Sequence, residues 1–313
     1  MQKNIAVIGA GVSGMSCAHR LKAEGIAVTI FDKGRALGGR LSTRQSEGWA
    51  FNHGAPYFHV ESKAFDDFIL QLATHGTARC VDAARRLYAG HPHMNELLTP
   101  LADDMVLHQS IEISRIEQSA RGWHLRSKTE KEFEPFDAVL ICIPAPQARR
   151  LIQSIAPDWA AQLDVVQYDP CLTMLLGLGE AYHGLYERRF ENEPVVAEQI
   201  RQYGQEQTDK SAQEAWIVHA TREWSANNID LEREDIARIM FDQFLQANNL
   251  SAQEPVFLRG HRWRFARVAQ AAGKPCFWDS QAKLGLAGDW CLGPNVEDAF
   301  TSGACLAERL LQG

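Results

Sequence analysis

Three glycines near the start of the chain, Gly9, Gly11 and Gly14, stand in a G-x-G-x-x-G arrangement, with Val12 and Ser13 between the second and third. In such spacing the first glycine permits a tight turn after a strand. The second lets the backbone approach a pyrophosphate, and the third lets the following helix pack against the strand. The N-terminus of that helix then faces the phosphates. Asp32 stands 18 positions after Gly14, where a carboxylate can accept hydrogen bonds from a ribose, with Lys33 beside it.

Two further pieces extend this chemistry. Directly after Asp32 comes R-x-x-G-G-R, in which Gly38 and Gly39 bring backbone N–H groups close to a ligand. Arg40 adds a planar, permanently charged fork suited to pyrophosphate oxygens. Far along the chain, Leu-Gly-Leu-Ala-Gly-Asp reads as a strand ending at Asp289, followed by a helix from about Val296. In the flavoproteins that this pattern resembles, an aspartate there binds ribitol or pyrophosphate. A helix N-terminus there can stabilise the negative N1–C2=O edge of a reduced flavin. Nicotinamide dehydrogenases do not usually carry the second motif, so the three pieces in this order resemble FAD-binding flavoproteins of the amine-oxidase and glutathione-reductase-like class.

These residues need positioning elements, and the pattern supplies them. Asn4–Gly9 reads as a strand, Met15–Leu21 has helical spacing that stops at Gly25, and Ala27–Lys33 is a second strand. The same stretch, Ile5–Leu21, superficially resembles a secretory signal. Glycines interrupt its apolar run at fixed positions and the pattern then continues, so a βαβ unit and a cytoplasmic location are expected. The expected fold class is α/β: a Rossmann-type FAD-binding domain with a second, mixed-sheet α+β substrate domain. The first is expected to be discontinuous, over 1–58, 99–146 and 280–313, and the second to comprise 59–98 and 147–279. Within these, 59–98 reads as helical. Strands are expected near 172–178, 215–221 and 256–265, a helix near 231–247, and a strand residue near Ile113 is expected to approach the adenine. The polar stretch Gly204–Ala215 reads as a mobile loop.

Composition narrows the partners. The chain has 313 residues, 45% of them hydrophobic, and a formal net charge of −7, which argues against nucleic acid or an anionic membrane as the main partner. No apolar run approaches the roughly 20 residues of a membrane-spanning helix. Seven cysteines without a C-x-x-C pair point to reduced thiols rather than a disulfide framework or zinc ribbon, and no metal site is expected.

Two strands carry side chains suited to a substrate. In Ala215–Ser225, Ile217, His219 and Thr221 share one face by period two, and Trp216 and Val218 share the other. In Leu258–Arg267, His261, Trp263 and Phe265 share a face opposite Arg262 and Arg264, and four arginines fall within nine residues. That strand is either a solvated edge or a wall that stacks a flat anionic substrate and holds its phosphates.

Four stretches, Asn52–Phe58, Ala215–Ser225, His261–Arg267 and Gly288–Ala299, resemble the bacterial renalases, a branch of the amine-oxidase-like flavoproteins, and the resemblance runs nearly end to end. It implies noncovalent FAD, with Cys276 the residue to suspect were the link covalent. It implies oxidation of the 2- and 6-dihydro isomers of NAD(P)H to NAD(P)+, with O2 taking the electrons to give hydrogen peroxide. It further implies that Gly54, Ala55 and Tyr57 lie by the isoalloxazine, that Trp290 flanks it, and that His261 and Trp263 line the substrate cavity; the two strands themselves add His219, Arg262 and Arg264 as the residues expected to bind substrate. Asn52 departs from the pattern, where an aspartate is expected. An amine oxidase shares the FAD domain but favours an apolar or acidic cage, against which the arginines weigh. A flavin-binding carrier without turnover is the third reading, against which the His and Trp face weighs.

Overall fold

The structure is a computed structural model and describes residues 3–103, 105–179, 185–202, 214–251 and 254–313. Residues 204–213 of the stretch read as a mobile loop lie outside the described residues, and its last two, Glu214 and Ala215, begin a strand. The chain divides into two units, 1–41 with 57–167 and 268–313, and 42–56 with 168–267.

The first unit is built on a six-stranded sheet. Its order is Phe277–Asp279, Leu284–Leu286, Ala138–Ile141, Asn4–Ile8, Ala27–Phe31 and Val106–His108. All neighbours pair in parallel except the first two. The central strands are continuous apolar runs, as a sheet covered on both faces requires: Ile5, Ala6, Val7, Val139, Leu140 and Ile141 are each at most 1% exposed. The helices Val12–Ala23 and Val296–Gln312 pack against each other, and Ser16 Oγ donates to Phe300 O at 3.0 Å. This is the expected Rossmann-type α/β architecture.

Residues 59–98 differ from the helical expectation. Only Lys63–Thr74 is α-helical; the strands Ala78–Asp82 and Leu87–Gly90 follow and pair with each other, and Leu87–Gly90 also pairs with Phe58–His59. This segment also falls in the first unit rather than with 147–279. Its helix buries Phe65 and Phe68, whose rings pack on Phe300 at centroid distances of 5.1 and 4.8 Å, and that contact ties it to the last helix. Residues 147–167 and 268–279 likewise belong to the first unit.

The second unit is a five-stranded sheet in the order Arg188–Arg189, Val196–Arg201, Glu214–Ala220, Gln167–Leu178 and Phe257–Gln270, plus a two-stranded hairpin, Arg44–Ser46 with Trp49–Phe51. Period-two alternation decides its faces. Trp216, Val218, Met174 and Leu176 point to the helix Arg233–Ala247 and meet Ile236, Met240 and Phe244, while Leu175 and Ile217 point the other way to Trp49, Phe51 and Phe257. Truncating a large buried side chain such as Trp216 to Ala should cost about 3–5 kcal/mol. Thr221, expected on the strand, instead caps the helix Arg222–Asn227 and accepts from Trp224 N–H at 3.2 Å. A threonine hydroxyl placed there satisfies one of the open N–H groups of a helix start.

Candidate functional site

The phosphate-type turn comes first. The helix Val12–Ala23 starts at Gly11, which has no side chain to cap it, and its first turn holds no acidic residue. The first intrahelical bond is Met15 N–H to Gly11 O at 2.9 Å, so the N–H groups of Val12, Ser13 and Gly14 lack helical acceptors. The Ser13 hydroxyl is buried with no partner. A Cβ on Gly14 would sit 1.9 Å from Gly9 O, whereas one on Gly11 would meet nothing within 4 Å. The helix is thus pressed against the turn at Gly14, and the side of Gly11 is open, with free donors and a helix dipole that favour an anion.

The R-x-x-G-G-R segment docks onto this turn. Gly38 N–H donates to Ala10 O at 2.9 Å, and a Cβ on Gly39 would come within 3.4 Å of Gly11 Cα. Both glycines have positive φ, 99° and 60°. Asp32 fixes the other side: Oδ2 accepts from Ala10 N–H and Oδ1 from Gly34 N–H, each at 2.6 Å. A carboxylate has about four acceptor positions, which leaves capacity for ribose hydroxyls. Lys33 Nζ donates to Gln147 Oε1 at 3.2 Å.

Arg40 reaches across the unit to Asp289, Nη2 to Oδ1 at 2.6 Å, and the Asp289 side chain is only 6% exposed. Asp289 follows the strand Leu284–Leu286 in a short 3-10 turn. The helix at Val296 carries a capping box in which Asn295 takes the Asp298 N–H and Asp298 takes the Asn295 N–H, leaving the first-turn N–H groups of Val296 and Glu297 for a ligand. Trp290 corrects the expectation. Its ring is fully buried against Phe277, centroids 5.8 Å apart, and its N–H donates to Ile143 O at 3.0 Å. It is a core residue rather than a wall open to a ligand. Ile113 is 6% exposed at the start of the strand Ile113–Ser119. These groups fit a dinucleotide: uncapped helix donors, an open glycine face, an unpartnered hydroxyl and a carboxylate with free acceptor positions.

A different cluster forms in the second unit. The hairpin turns through Glu47 and Gly48, both at positive φ (56° and 79°), as a type I′ turn requires, and it sets Arg44 opposite Phe51. Two residues past Phe51, the His53 ring meets His261 edge-on at 4.6 Å and Trp263 at 5.2 Å, while His261 and Trp263 lie 4.5 Å apart. Trp263 Nε1 donates to His53 O at 2.9 Å, which ties the indole to the His53 backbone. The Nδ1 atoms of His53 and His261 and the Nε of Arg44 are buried without partners. Burial above all pushes His53 down to about 4, with Arg44 adding to it. Burial likewise takes His261 to about 3, helped by His53 and the guanidiniums of Arg233, Arg44 and Arg262. Both imidazoles are therefore neutral at physiological pH, beside guanidiniums that remain charged.

The structure brings His261 and Trp263 together and sets the other expected substrate residues apart. Arg262 donates to Leu231 O at 3.0 Å and Arg264 pairs with Asp230 at 2.7 Å, on the face opposite His261 and Trp263. The strand's alternation turns them toward the segment before the Arg233–Ala247 helix, so they support that segment instead of facing the rings. His219 Nδ1 pairs with Glu198 Oε1 at 2.8 Å. Burial alone would raise Glu198, but His219 and Arg189 outweigh it and hold the carboxyl at about 2. Gly54 and Ala55 belong to the second unit and Tyr57 to the first. Asn52 accepts from Thr43 Oγ1 at 2.7 Å through Oδ1, and its N–H donates to Gln202 Oε1 at 3.0 Å. His53 and Arg44 escaped the sequence reading. His53 lies inside the Asn52–Phe58 stretch and Arg44 follows the glycine loop at once, but only the hairpin register, which sets Arg44 opposite Phe51, brings the Arg44 charge to bear on His53.

Fold and turn together define an α/β protein whose first unit is Rossmann-like. The chain matches the NAD(P)-binding Rossmann-like domain over residues 7–72. It is 39% identical over 75 residues to the 4,4'-diapophytoene desaturase (4,4'-diaponeurosporene-forming) of Staphylococcus haemolyticus, a match covering 21% of this chain and 15% of the desaturase. The chain thus spans only a small part of the length of the curated relatives it matches. Among solved structures it resembles a candidate protoporphyrinogen oxidase from Exiguobacterium sp., with a TM-score of 0.71, 10% identity and full coverage of both chains. It also resembles the cyclohexylamine oxidase of Brevibacterium oxydans, with a TM-score of 0.70, 11% identity, and coverage of 100% of this chain and 99% of that one. No described helix is long and apolar enough to cross a membrane.

Proposed function

We propose that the chain is an FAD-dependent oxidoreductase of the amine-oxidase-like class, renalase-like in substrate. In this reading it holds FAD noncovalently and oxidises 2- and 6-dihydro isomers of NAD(P)H, and O2 takes the electrons to give hydrogen peroxide. The first unit supplies the cofactor residues. The uncapped helix at Val12, Ser13 and Gly14 faces the pyrophosphate, Asp32 takes the ribose, and the Arg40–Asp289 pair and the Val296 helix start take the rest. When bound, FAD supplies the hydride acceptor.

The observation that carries the substrate half is the ring cluster of His53, His261 and Trp263 beside the unpartnered Nε of Arg44. Flat uncharged rings suit stacking of a neutral dihydropyridine, and a half-buried guanidinium suits the phosphates of a dinucleotide. The product ring is already an aromatic cation, so no general base is needed, in keeping with imidazoles held far below their ordinary pKa. The guanidiniums that add to burial in keeping the imidazoles neutral also disfavour the cationic product relative to the neutral substrate.

An amine oxidase is the second reading, and the fold likeness to cyclohexylamine oxidase leaves it open. A protonated amine would meet the same guanidiniums, which is unfavourable. Anaerobic mixing of the purified protein with 6-dihydro-NAD, β-NADH and a series of monoamines separates the two. Fast flavin bleaching by the isomer and slow bleaching by β-NADH are expected. Bleaching by monoamines with the isomer inert would overturn the proposal in favour of the amine oxidase.

A further inference from the structure

The first unit contains a cavity of about 290 Å³ lined by Trp159, Lys274, Cys276, Phe277, Trp278 and Arg309. It does not belong to the dinucleotide turn. Arg309 lies 13 residues along its helix from Val296, about 20 Å at 1.5 Å per residue.

Its walls are aromatic. Trp159 meets Phe277 edge-on at a centroid distance of 5.5 Å, and Lys274 Nζ stands 3.8 Å from the Phe277 centroid. Lys274 donates to the neutral Gln162 Oε1 at 2.6 Å, and among the described residues no carboxylate pairs with Lys274 or Arg309. In a chain of net charge −7, the half-buried Lys274 and the exposed Arg309 put two cations without carboxylate partners on one cavity. The indole Nε1 of Trp278 is buried without an acceptor. A buried donor of this kind is destabilising unless something accepts from it. Cys276 adds no negative charge, because burial, and then its neighbour Cys305, push its thiol well up.

From these features we infer a second small-molecule site in the first unit, one that takes a one- or two-ring aromatic carboxylate. The ring lies among Trp159, Phe277 and Trp278, and the carboxylate answers Lys274, Arg309 and the Trp278 N–H. The volume suits that size, since a cavity of about 150 Å³ accommodates benzene. The inference does not depend on which substrate the second unit takes.

Titration calorimetry on the purified full-length protein, as isolated with its cofactor, tests it with indole-3-acetate and the uncharged indole-3-acetamide. The acid should bind one per chain without displacing the cofactor, and the amide at least tenfold more weakly. Lys274→Gln/Arg309→Gln should weaken the acid at least tenfold and leave the amide unchanged. Trp278→Phe, which keeps the ring and loses only the N–H, should weaken the acid severalfold. Normal cofactor content and far-UV circular dichroism in each variant show that it is folded. Equal affinity for acid and amide, unchanged affinity in the double variant, or displacement of the cofactor by the acid would each overturn the inference.

Discussion

Arg40 and Asp289 stand 249 positions apart in sequence and meet at 2.6 Å, the guanidinium partly exposed and the carboxylate almost wholly buried. The pair ties the second glycine loop to the strand end of the last segment. Removing one partner leaves a charge in a site built for two. Arg40→Ala should therefore lower FAD affinity at least tenfold, corresponding to about 1.5–3 kcal/mol for a charge-assisted contact. In the cofactor-free protein, Arg40→Ala/Asp289→Asn should lie closer to wild type in thermal stability than Arg40→Ala alone. Additive losses in the double variant would argue against the coupling, and wild-type FAD affinity in Arg40→Ala against the cofactor assignment.

Gly11 and Gly14 should separate ligand contact from folding. A Cβ on Gly14 collides with Gly9 O at 1.9 Å, so Gly14→Ala should destabilise the protein by about 1–3 kcal/mol. A Cβ on Gly11 meets open space, at an ordinary φ of −76°. Gly11→Ala should leave the melting temperature of the cofactor-free protein unchanged and still weaken the dinucleotide, because the methyl stands where the backbone must approach the phosphates. If Gly11→Ala binds FAD like wild type, the pyrophosphate does not lie over Gly11.

The buried histidines set an acid limit. His53 at about 4 and His261 at about 3 both lie below their ordinary 6.5, so between these values the unfolded chain binds more protons than the native one. Their contribution to stability is complete above pH 6.5 and is lost as the pH falls toward 4 and then 3. Glu198, at about 2 against an ordinary 4.5, acts in a lower window: its contribution is present above 4.5 and lost as the pH falls toward 2. Chemical denaturation between pH 7 and 4.5 therefore stays above the Glu198 window. His261→Asn should give a visibly shallower decline than wild type over that range, and parallel declines would mean that His261 is not held neutral by the fold.

Arg44 and Arg262 should behave differently despite their shared charge. Arg44 has a buried, unpartnered Nε beside the ring cluster, whereas Arg262 is engaged by Leu231 O on the other face of its strand. With 6-dihydro-NAD as reductant, Arg44→Gln should raise the apparent dissociation constant at least tenfold, with a smaller effect on the limiting reduction rate. Arg262→Gln should change either value less than about threefold, since its lost bond is structural. Stopped-flow reduction at several substrate concentrations gives both numbers, and the reverse ordering would return the phosphates to the Arg262 face.

The parts of this protein that depend on local spacing were legible in its sequence. G-x-G-x-x-G, an acidic residue 18 positions on, a second glycine pair and a strand-terminal Asp289 are short-range patterns, each tied to a backbone requirement that few residues meet, so they locate the dinucleotide turn and the α/β class without coordinates. Period-two alternation likewise sorted Trp216 from Ile217 and His261 from Arg262. It could not say which face of a strand a ligand uses, because alternation assigns sides without naming what lies beyond them. Only the tertiary structure turned Arg262 and Arg264 toward Asp230 and Leu231, closed Trp290 into the core against Phe277, and carried Arg44 and His53 to His261 through a hairpin register. Those outcomes depend on contacts between segments distant in sequence, whose pairing is set by how the whole core fills, and no local pattern in the chain encodes them.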